Sequence, residues 1–177
     1  MRLFHVSEES DIEIFIPRIP DRDDLDKSVG LVWAIDEKRL PNFLTPRNCP
    51  RVTYHKNSYT TEEDSQKFFS SPSVNHAVVI ENNWYEIMKK TKLYIYEFDC
   101  SNFKLQDETA GYYVSTVIQK PIAKYVIEDL FGELINRNIE IRITDNLHSI
   151  ANDVKRSSLN WSLCRMAYAK NKIQEVN

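Results

Sequence analysis

Short apolar runs and alternating segments recur along the chain, and both patterns predict β-strands. Residues 1–6 (MRLFHV) place Leu3 and His5 on one face of a strand, and Phe4 and Val6 on the other. Strands are also predicted for the apolar run LVWAI (31–35) and for 51–55, 75–81, 92–99, 112–117 and 139–143, with a further extended piece over 12–16.

Helical periodicity is confined to a few segments. Apolar residues recur at helical spacing from Ile122 to Ile135, which predicts a helix there. Thr60 and Glu63 form a capping box that predicts a helix over 61–70. Short helices are also expected after Asp36, over 83–89, and over 147–154 with Thr144 or Asp145 as the cap, whereas 157–169 is ambiguous between strand and helix.

The order of these elements indicates the fold class. Strands are scattered among short helices and do not alternate regularly with them, as they would in a doubly wound parallel sheet. The chain has 177 residues, a length that suits one ordinary domain. The sequence therefore predicts a single α+β domain over residues 1–177, with a mixed, largely antiparallel β-sheet core flanked by short helices.

Composition argues against several classes of protein. With three glycines, the chain contains neither a Walker phosphate loop nor a G-x-G-x-x-G turn. No apolar run approaches the roughly 20 residues of a membrane span, and acidic residues stand where a signal peptide would be apolar. The three cysteines lie far apart, which favours free thiols in a reducing compartment. We therefore expect a cytoplasmic protein without a membrane partner, and without a metal because the histidines lack ligand spacing.

Two residues of the first strand are candidates for a binding site. His5 and Ser7 lie on the same side of this strand, so the imidazole could bond a ligand hydroxyl that Ser7 helps to orient. The ordinary alternative is a half-buried histidine bonded to the backbone, with Ser7 opening a turn. The aromatic residues that could stack on a flat ligand ring, or else belong to the core, are Trp33, Tyr112, Tyr113 and Trp161.

A basic loop is a second candidate. Arg47 and Arg51 flank a rigid Pro-Asn-Cys-Pro turn, and two guanidinium groups held by a stiff loop can bind phosphate. Cys49, between them, is either a thiolate favoured by the nearby cations or a buried free thiol. The alternative for the arginines is ion pairing with the acidic residues Asp23, Asp24 and Asp26.

Several phrases of the sequence resemble a known group of proteins. LFHVSEE (3–9), LVWAID (31–36), PRNCPRV (46–52) and SLNWSLCRMAYA (158–169) are similar to a family of small, uncharacterised bacterial proteins defined as a domain of unknown function. This resemblance covers nearly the whole chain and brings no established activity with it.

A looser resemblance implies a chemistry. The phrase FHVS at positions 4–7 is similar to the opening motif of the ADP-ribosyltransferase-like fold, whose members include rifampin-modifying transferases and RNA 2′-phosphotransferases. In those enzymes the histidine bonds the NAD ribose beside nicotinamide, and an aromatic residue stacks on the nicotinamide. The resemblance therefore implies that His5 and Ser7 hold the ribose and that Trp33 is the stacking residue.

The resemblance also completes the set of expected site residues. The expected catalytic residues are His5, Trp33 and Tyr113, and the expected NAD contacts are His5, Ser7, Trp33, Arg47, Arg51 and Ser115. The third catalytic position of the family, often Glu, has no clear match, because Glu97 comes too early in the chain. Two functions are therefore expected: an NAD-dependent ADP-ribosyltransferase-like enzyme acting on a small molecule or a nucleic-acid end, or a non-catalytic nucleotide- or partner-binding domain.

Overall fold

The computed structural model describes residues 1–20 and 26–171. The strands are β1 (Leu3–Ser7), β2 (Val32–Asp36), β3 (Arg51–His55), β4 (His76–Glu81), β5 (Leu93–Phe98), β6 (Lys104–Asp107), β7 (Tyr112–Ser115), β8 (Ala123–Ile127), β9 (Glu140–Thr144) and β10 (Asn160–Cys164). The α-helices are α1 (Glu62–Phe68), α2 (Tyr85–Lys90), α3 (Leu130–Asn136) and α4 (His148–Lys155). Single 3-10 turns cover Leu40–Phe43, Asn82–Trp84, Cys100–Asn102 and Met166–Tyr168.

These elements form two compact units. The first combines Met1–Phe43 with Lys92–Ile127, and the second combines Leu44–Thr91 with Glu128–Asn177. Each unit has its own sheet. Within the described ranges, no helix combines the length and the apolar character that crossing a membrane requires.

The first unit is built on a six-stranded sheet in the order β6-β7-β2-β1-β5-β8, and each neighbouring pair is antiparallel. Side chains alternate between the two faces along every strand, so one face collects Leu3, Val32, Ala34 and Phe98 into an apolar cluster. The same face also carries His5, because His5 is two residues beyond Leu3.

A segment without regular structure, residues 8–19, covers this face and is called the strap below. Phe15 and Gln119 exchange both main-chain hydrogen bonds, at 2.8 and 3.0 Å. Arg18 and Leu31 do the same at 3.1 and 2.8 Å. Phe15 is 9% exposed and joins the apolar cluster. The strap is therefore tied to the sheet by main-chain bonds and anchored by a buried ring.

The second unit is built on a four-stranded sheet in the order β10-β3-β4-β9. The pairs β10–β3 and β3–β4 are antiparallel, whereas β4 and β9 are parallel. An apolar cluster covers this sheet. It combines Val52, Tyr54 and Val79 of the sheet with Leu147, the N-cap of α4, and with Ala151 and Val154 of the helix. The carboxyl ends of β4 and β9 lie side by side as a result of their parallel pairing.

The predicted α+β class is confirmed, with largely antiparallel sheets and short helices. The strands are divided between two sheets, where the sequence was expected to form one. The extent of a single domain over 1–177 stays a prediction. Asp23 and Asp24, the expected partners of the basic loop, lie outside the described residues, and Asp26 accepts hydrogen bonds from the main chain and hydroxyl of Ser28 instead.

The predicted helix over 122–135 is wrong. Its first part is the strand β8, which pairs with β5, and α3 begins only at Leu130. Asp129 caps α3 by accepting a hydrogen bond from the main-chain nitrogen of Gly132 at 2.9 Å. Ile122, Val126 and Ile127 recur at helical spacing, but β-branched side chains favour strands.

Smaller differences concern the ends of helices. The N-cap of α1 is Thr61 and not Thr60, because the Thr61 hydroxyl accepts from the nitrogen of Asp64 at 3.2 Å. Helix α4 begins after Leu147, not directly after Thr144 or Asp145. The strand β6 has no counterpart among the predicted elements, and the ambiguous segment 157–169 contains β10.

Candidate functional site

His5 lies where the ladder between β1 and β2 ends. Strand β1 pairs with β5 over all its residues, but it pairs with β2 only at Leu3 and Phe4. Beyond Phe4 the hydrogen bond between the two strands comes from the imidazole of His5, whose Nδ1 lies 3.0 Å from the carbonyl oxygen of Trp33. A carbonyl oxygen only accepts, so Nδ1 carries the proton and Nε2 is the acceptor nitrogen of the neutral ring.

Burial favours this neutral form. Removal from water lowers the pKa of His5 below its ordinary value of 6.5, against the opposing effect of the hydrogen bond to the Trp33 carbonyl. The charge of Arg18 lowers the pKa further and that of Glu9 raises it. The ring of Phe15 lies 4.9 Å away, centroid to centroid. At neutral pH, His5 therefore has a lone pair on Nε2, for which the described residues provide no hydrogen-bond donor.

The face of the sheet that carries His5 also carries three other predicted site residues. Strand pairing aligns Tyr113 with Ala34 and Ser115 with Val32, both on this face. Ser115 is buried, and its hydroxyl accepts from the Gln119 amide at 2.8 Å, so it serves the turn after β7. The hydroxyl of Ser7 likewise accepts from the nitrogen of Glu9 at 3.1 Å and opens a turn. Tyr113 is half-buried beside the apolar cluster.

Trp33 lies on the opposite face. Phe4 and Ile35 are paired across β1 and β2, so their side chains share a face. Trp33, two residues before Ile35, points to that same side, away from His5. Its ring contacts the edge of Tyr112 at 5.5 Å between centroids. The structure thus brings only the main-chain carbonyl of Trp33 to His5, and does not place the indole beside the imidazole as the resemblance implied.

Glu97, considered in the sequence as a carboxylate for catalysis, is also on this opposite face, paired with Phe4. Arg2 donates to both of its oxygens at 2.9 Å, and Tyr125 donates to one of them at 2.8 Å. These hydrogen bonds lower the pKa of Glu97, the bond from Arg2 most strongly. Glu97 is therefore committed to an ion pair on the face that does not carry His5.

The basic loop belongs to the second unit. Arg47 is exposed, whereas Arg51 is buried and donates to the carbonyl oxygen of Cys49 at 3.0 Å. Cys49 is fully buried, and burial raises the pKa of its thiol to about 12 in spite of Arg51. Cys49 is thus a buried free thiol, as the alternative interpretation expected. Arg51 is buried and bonds the main chain, unlike an arginine that contacts phosphate at the surface.

Three residues that the sequence did not single out surround His5: Phe15, Glu9 and Arg18. All belong to the strap, and the residues whose main chains fix it, Gln119 and Leu31, lie outside it in the sequence. A groove of about 430 Å³ is lined on one side by strap residues 10–13 and on the other by residues 121–124 and Tyr96. The Tyr96 hydroxyl donates to the carbonyl oxygen of Glu9 at 2.6 Å, so this residue joins the groove to the strap beside His5.

Comparison with known proteins gives one match. The model of a family of unknown function, DUF6886, matches residues 4–169. No curated protein and no solved structure matches the chain. Within the described ranges, no three His, Cys, Asp or Glu side chains are grouped so that they could hold a metal ion.

Proposed function

Since this chain belongs to that family of unknown function, matched over 4–169, we propose its activity from the site itself: it binds a ribose-containing nucleotide, in the first instance NAD. The observation that carries the proposal is the hydrogen bond from His5 Nδ1 to the Trp33 carbonyl. This bond leaves Nε2 as an acceptor for a hydroxyl. A ribose hydroxyl is the donor that the resemblance at FHVS assigns to this position.

Two further features support a nucleotide ligand: a groove lined by Tyr96, the β5 residue paired with His5, and an aromatic ring on the face of His5. The groove of about 430 Å³ falls within the range of small-molecule sites. It offers both apolar and polar contacts, with Ile122 exposed and Lys124 donating to the carbonyl oxygen of Ser10 at 2.8 Å. Among the aromatic residues that could stack on a ligand ring, Tyr113 replaces Trp33 in this proposal, because Tyr113 shares the face of His5.

Transfer of ADP-ribose is the second candidate function, and Glu9 is the observation that favours it. Glu9 belongs to the strap that covers the face of His5, and its charge raises the pKa of the imidazole. In this reaction the bond between ribose C1′ and nicotinamide breaks, nicotinamide leaves as the neutral base, and an acceptor oxygen or nitrogen bonds C1′. Glu9 would take the proton that the acceptor loses. This candidate replaces Glu97 with Glu9 as the carboxylate.

The test distinguishes the role of Nδ1, which bonds the Trp33 carbonyl, from that of Nε2. In His5→Asn, the side-chain amide can still donate to the Trp33 carbonyl, but no atom replaces Nε2. A ligand at a hundred times its Kd stabilises the folded protein by about 2.7 kcal/mol. We expect NAD to raise the melting temperature of the native protein and of Trp33→Phe, whose indole is on the other face, and to leave His5→Asn unchanged.

Two results would contradict the proposal, and a further measurement decides between binding and transfer. An equal response of His5→Asn and the native protein to NAD would contradict the proposal, as would no response of the native protein to NAD or ADP-ribose. Release of nicotinamide, measured by chromatography, decides between the two candidates: turnover that Glu9→Gln abolishes while NAD binding persists supports transfer. Binding without turnover supports the non-catalytic function.

A further inference from the structure

A buried carboxylate stands at the carboxyl end of β4 in the second unit. Glu81 is 0% exposed and is the last residue of the strand. Its hydrogen-bond partners among the described residues are two main-chain nitrogens. Lys170 N donates at 3.1 Å to both oxygens, and Leu147 N lies at 3.4 Å from Oε1. No described Lys, Arg or His side chain forms an ion pair with Glu81.

The main-chain nitrogen, the carbonyl oxygen and the ammonium group of Lys170 all form hydrogen bonds within the second unit. Its ammonium donates to Oδ1 of Asn82 at 2.7 Å and to the carbonyl oxygen of Asp145 at 2.9 Å. Its carbonyl oxygen lies 2.8 Å from Nε2 of His148, which must therefore carry a proton. Together with Glu81, these groups contact the α-nitrogen, the ε-nitrogen and the carbonyl group of one lysine residue.

Among the described residues, only neutral peptide groups donate to this buried carboxylate. A carboxylate removed from water needs a cation or several donors to face it. An α-ammonium in the position of Lys170 N would add a positive charge at the same atom.

We propose that Glu81, Asn82, the Asp145 carbonyl and His148 form a binding site for lysine with a free α-amino group, and that Lys170 occupies this site in the isolated chain. The α-ammonium pairs with Glu81, the ε-ammonium is held by Asn82 and Asp145, and His148 donates to the carboxylate or carbonyl oxygen. The ligand is free lysine or the N-terminal lysine of a peptide, and it competes with the chain's own C-terminal segment. This site does not depend on the proposed nucleotide function.

The test follows the competition in the full chain. The protein is labelled with ¹⁵N-lysine, and the Lys170 amide is assigned with Lys170→Arg. Unlabelled L-lysine and a Lys-Ala dipeptide should each move this resonance to the position of an unstructured amide if they displace the segment. Norleucine lacks the ε-ammonium and Nα-acetyl-lysine lacks the α-ammonium, so neither should move it. A response to the dipeptide alone identifies an N-terminal lysine as the ligand.

Two variants make the result quantitative. Lys170→Ala removes the ε-contacts of the competitor, so we expect L-lysine to bind this variant at least tenfold more tightly than the native chain by thermal shift. Lys90→Ala, an exposed lysine at the end of α2, is the matched control and should respond like the native chain. Asn82→Ala should reduce the preference for lysine over norleucine, because the Asp145 carbonyl remains, and Glu81→Gln should reduce the preference over Nα-acetyl-lysine.

The proposal is overturned by an unmoved Lys170 resonance together with no lysine response of Lys170→Ala. It is equally overturned if norleucine acts as well as lysine. In either case the contacts to Lys170 serve only to fasten the C-terminal segment to the second unit.

Discussion

Replacement of Phe15 by alanine tests whether the strap controls the environment of His5. The Phe15 ring contacts three other rings, those of His5 at 4.9 Å, Tyr96 at 5.3 Å and Phe98 at 4.9 Å between centroids. It is the buried anchor of a segment otherwise held by hydrogen bonds, both between main chains and from the side chains of Tyr96 and Lys124. Its removal leaves a cavity next to the imidazole and loosens the strap.

The magnitude follows from the loss of a buried aromatic side chain. Truncation of a buried Phe to Ala costs about 3–5 kcal/mol, which combines the lost transfer free energy with the cavity left behind. We expect the free energy of unfolding to fall by this amount in urea titrations. Ile16→Ala on the same strap is the matched control: Ile16 is 63% exposed, and its truncation should change stability by no more than about 0.5 kcal/mol.

A second readout is specific to His5. Burial lowers the pKa of this imidazole below 6.5, so water entering the cavity should raise the pKa towards its ordinary value. The folded protein binds a proton at His5 less readily than the unfolded chain does. The corresponding stability is therefore complete above pH 6.5 and is lost as the pH falls through and below that value. Phe15→Ala should weaken this dependence.

Titration of the imidazole protons by NMR, assigned with His5→Asn, measures the pKa directly. An unchanged pKa of His5 in a folded Phe15→Ala protein would refute the argument that the strap keeps water from the ring. A fall in stability equal to that of Ile16→Ala would refute the role of Phe15 as anchor.

Two further predictions concern Cys49 and Gly111. Cys49 should resist alkylation by iodoacetamide at pH 8 in the native protein while the partly exposed Cys100 reacts, since burial raises the pKa of the Cys49 thiol to about 12; equal rates by mass spectrometry would contradict this. Gly111→Ala should lower the free energy of unfolding by about 2 kcal/mol, because Gly111 has φ +67° and an added Cβ would lie 2.5 Å from Cγ of Arg39. Urea titrations measure this loss, and an unchanged free energy of unfolding would contradict the argument.

Local sequence patterns predicted where most strands lie, but they did not predict on which face of the sheet each side chain lies. The apolar run before Asp36 and the alternation after Ile139 are β2 and β9, because both patterns lie within the strand itself. The side on which Trp33 points depends on its register with Phe4, and that register is a property of the pair of strands. The resemblance to the ADP-ribosyltransferase-like fold implied that His5 and Trp33 belong to one site, although their side chains lie on opposite faces.

The segment 122–135 shows why periodicity alone misled. Its apolar residues repeat at intervals that suit a helix, yet β5 offers an unpaired edge that 123–127 completes. Hydrogen bonding to a neighbouring strand outweighs a weak helical preference in residues such as Tyr125 and Val126. Asp129, the actual cap, marks the boundary between the two structures and was available in the sequence as a cap signal.

Both proposed sites share a feature that determines how they must be tested. His5 donates to the Trp33 carbonyl where a strand ladder stops, and Glu81 accepts from the nitrogen of Lys170 beyond the end of β4. Buried main-chain groups need partners, so each side chain stabilises the fold whether or not it binds a ligand. Alanine at either position removes both roles at once. His5→Asn keeps a donor for the Trp33 carbonyl and removes Nε2. Glu81→Gln removes the charge and keeps one acceptor oxygen, with an amide NH2 group in place of the other. A ligand response that disappears in these two variants, while the unfolding free energy changes little, can therefore be assigned to the atom that faces the ligand.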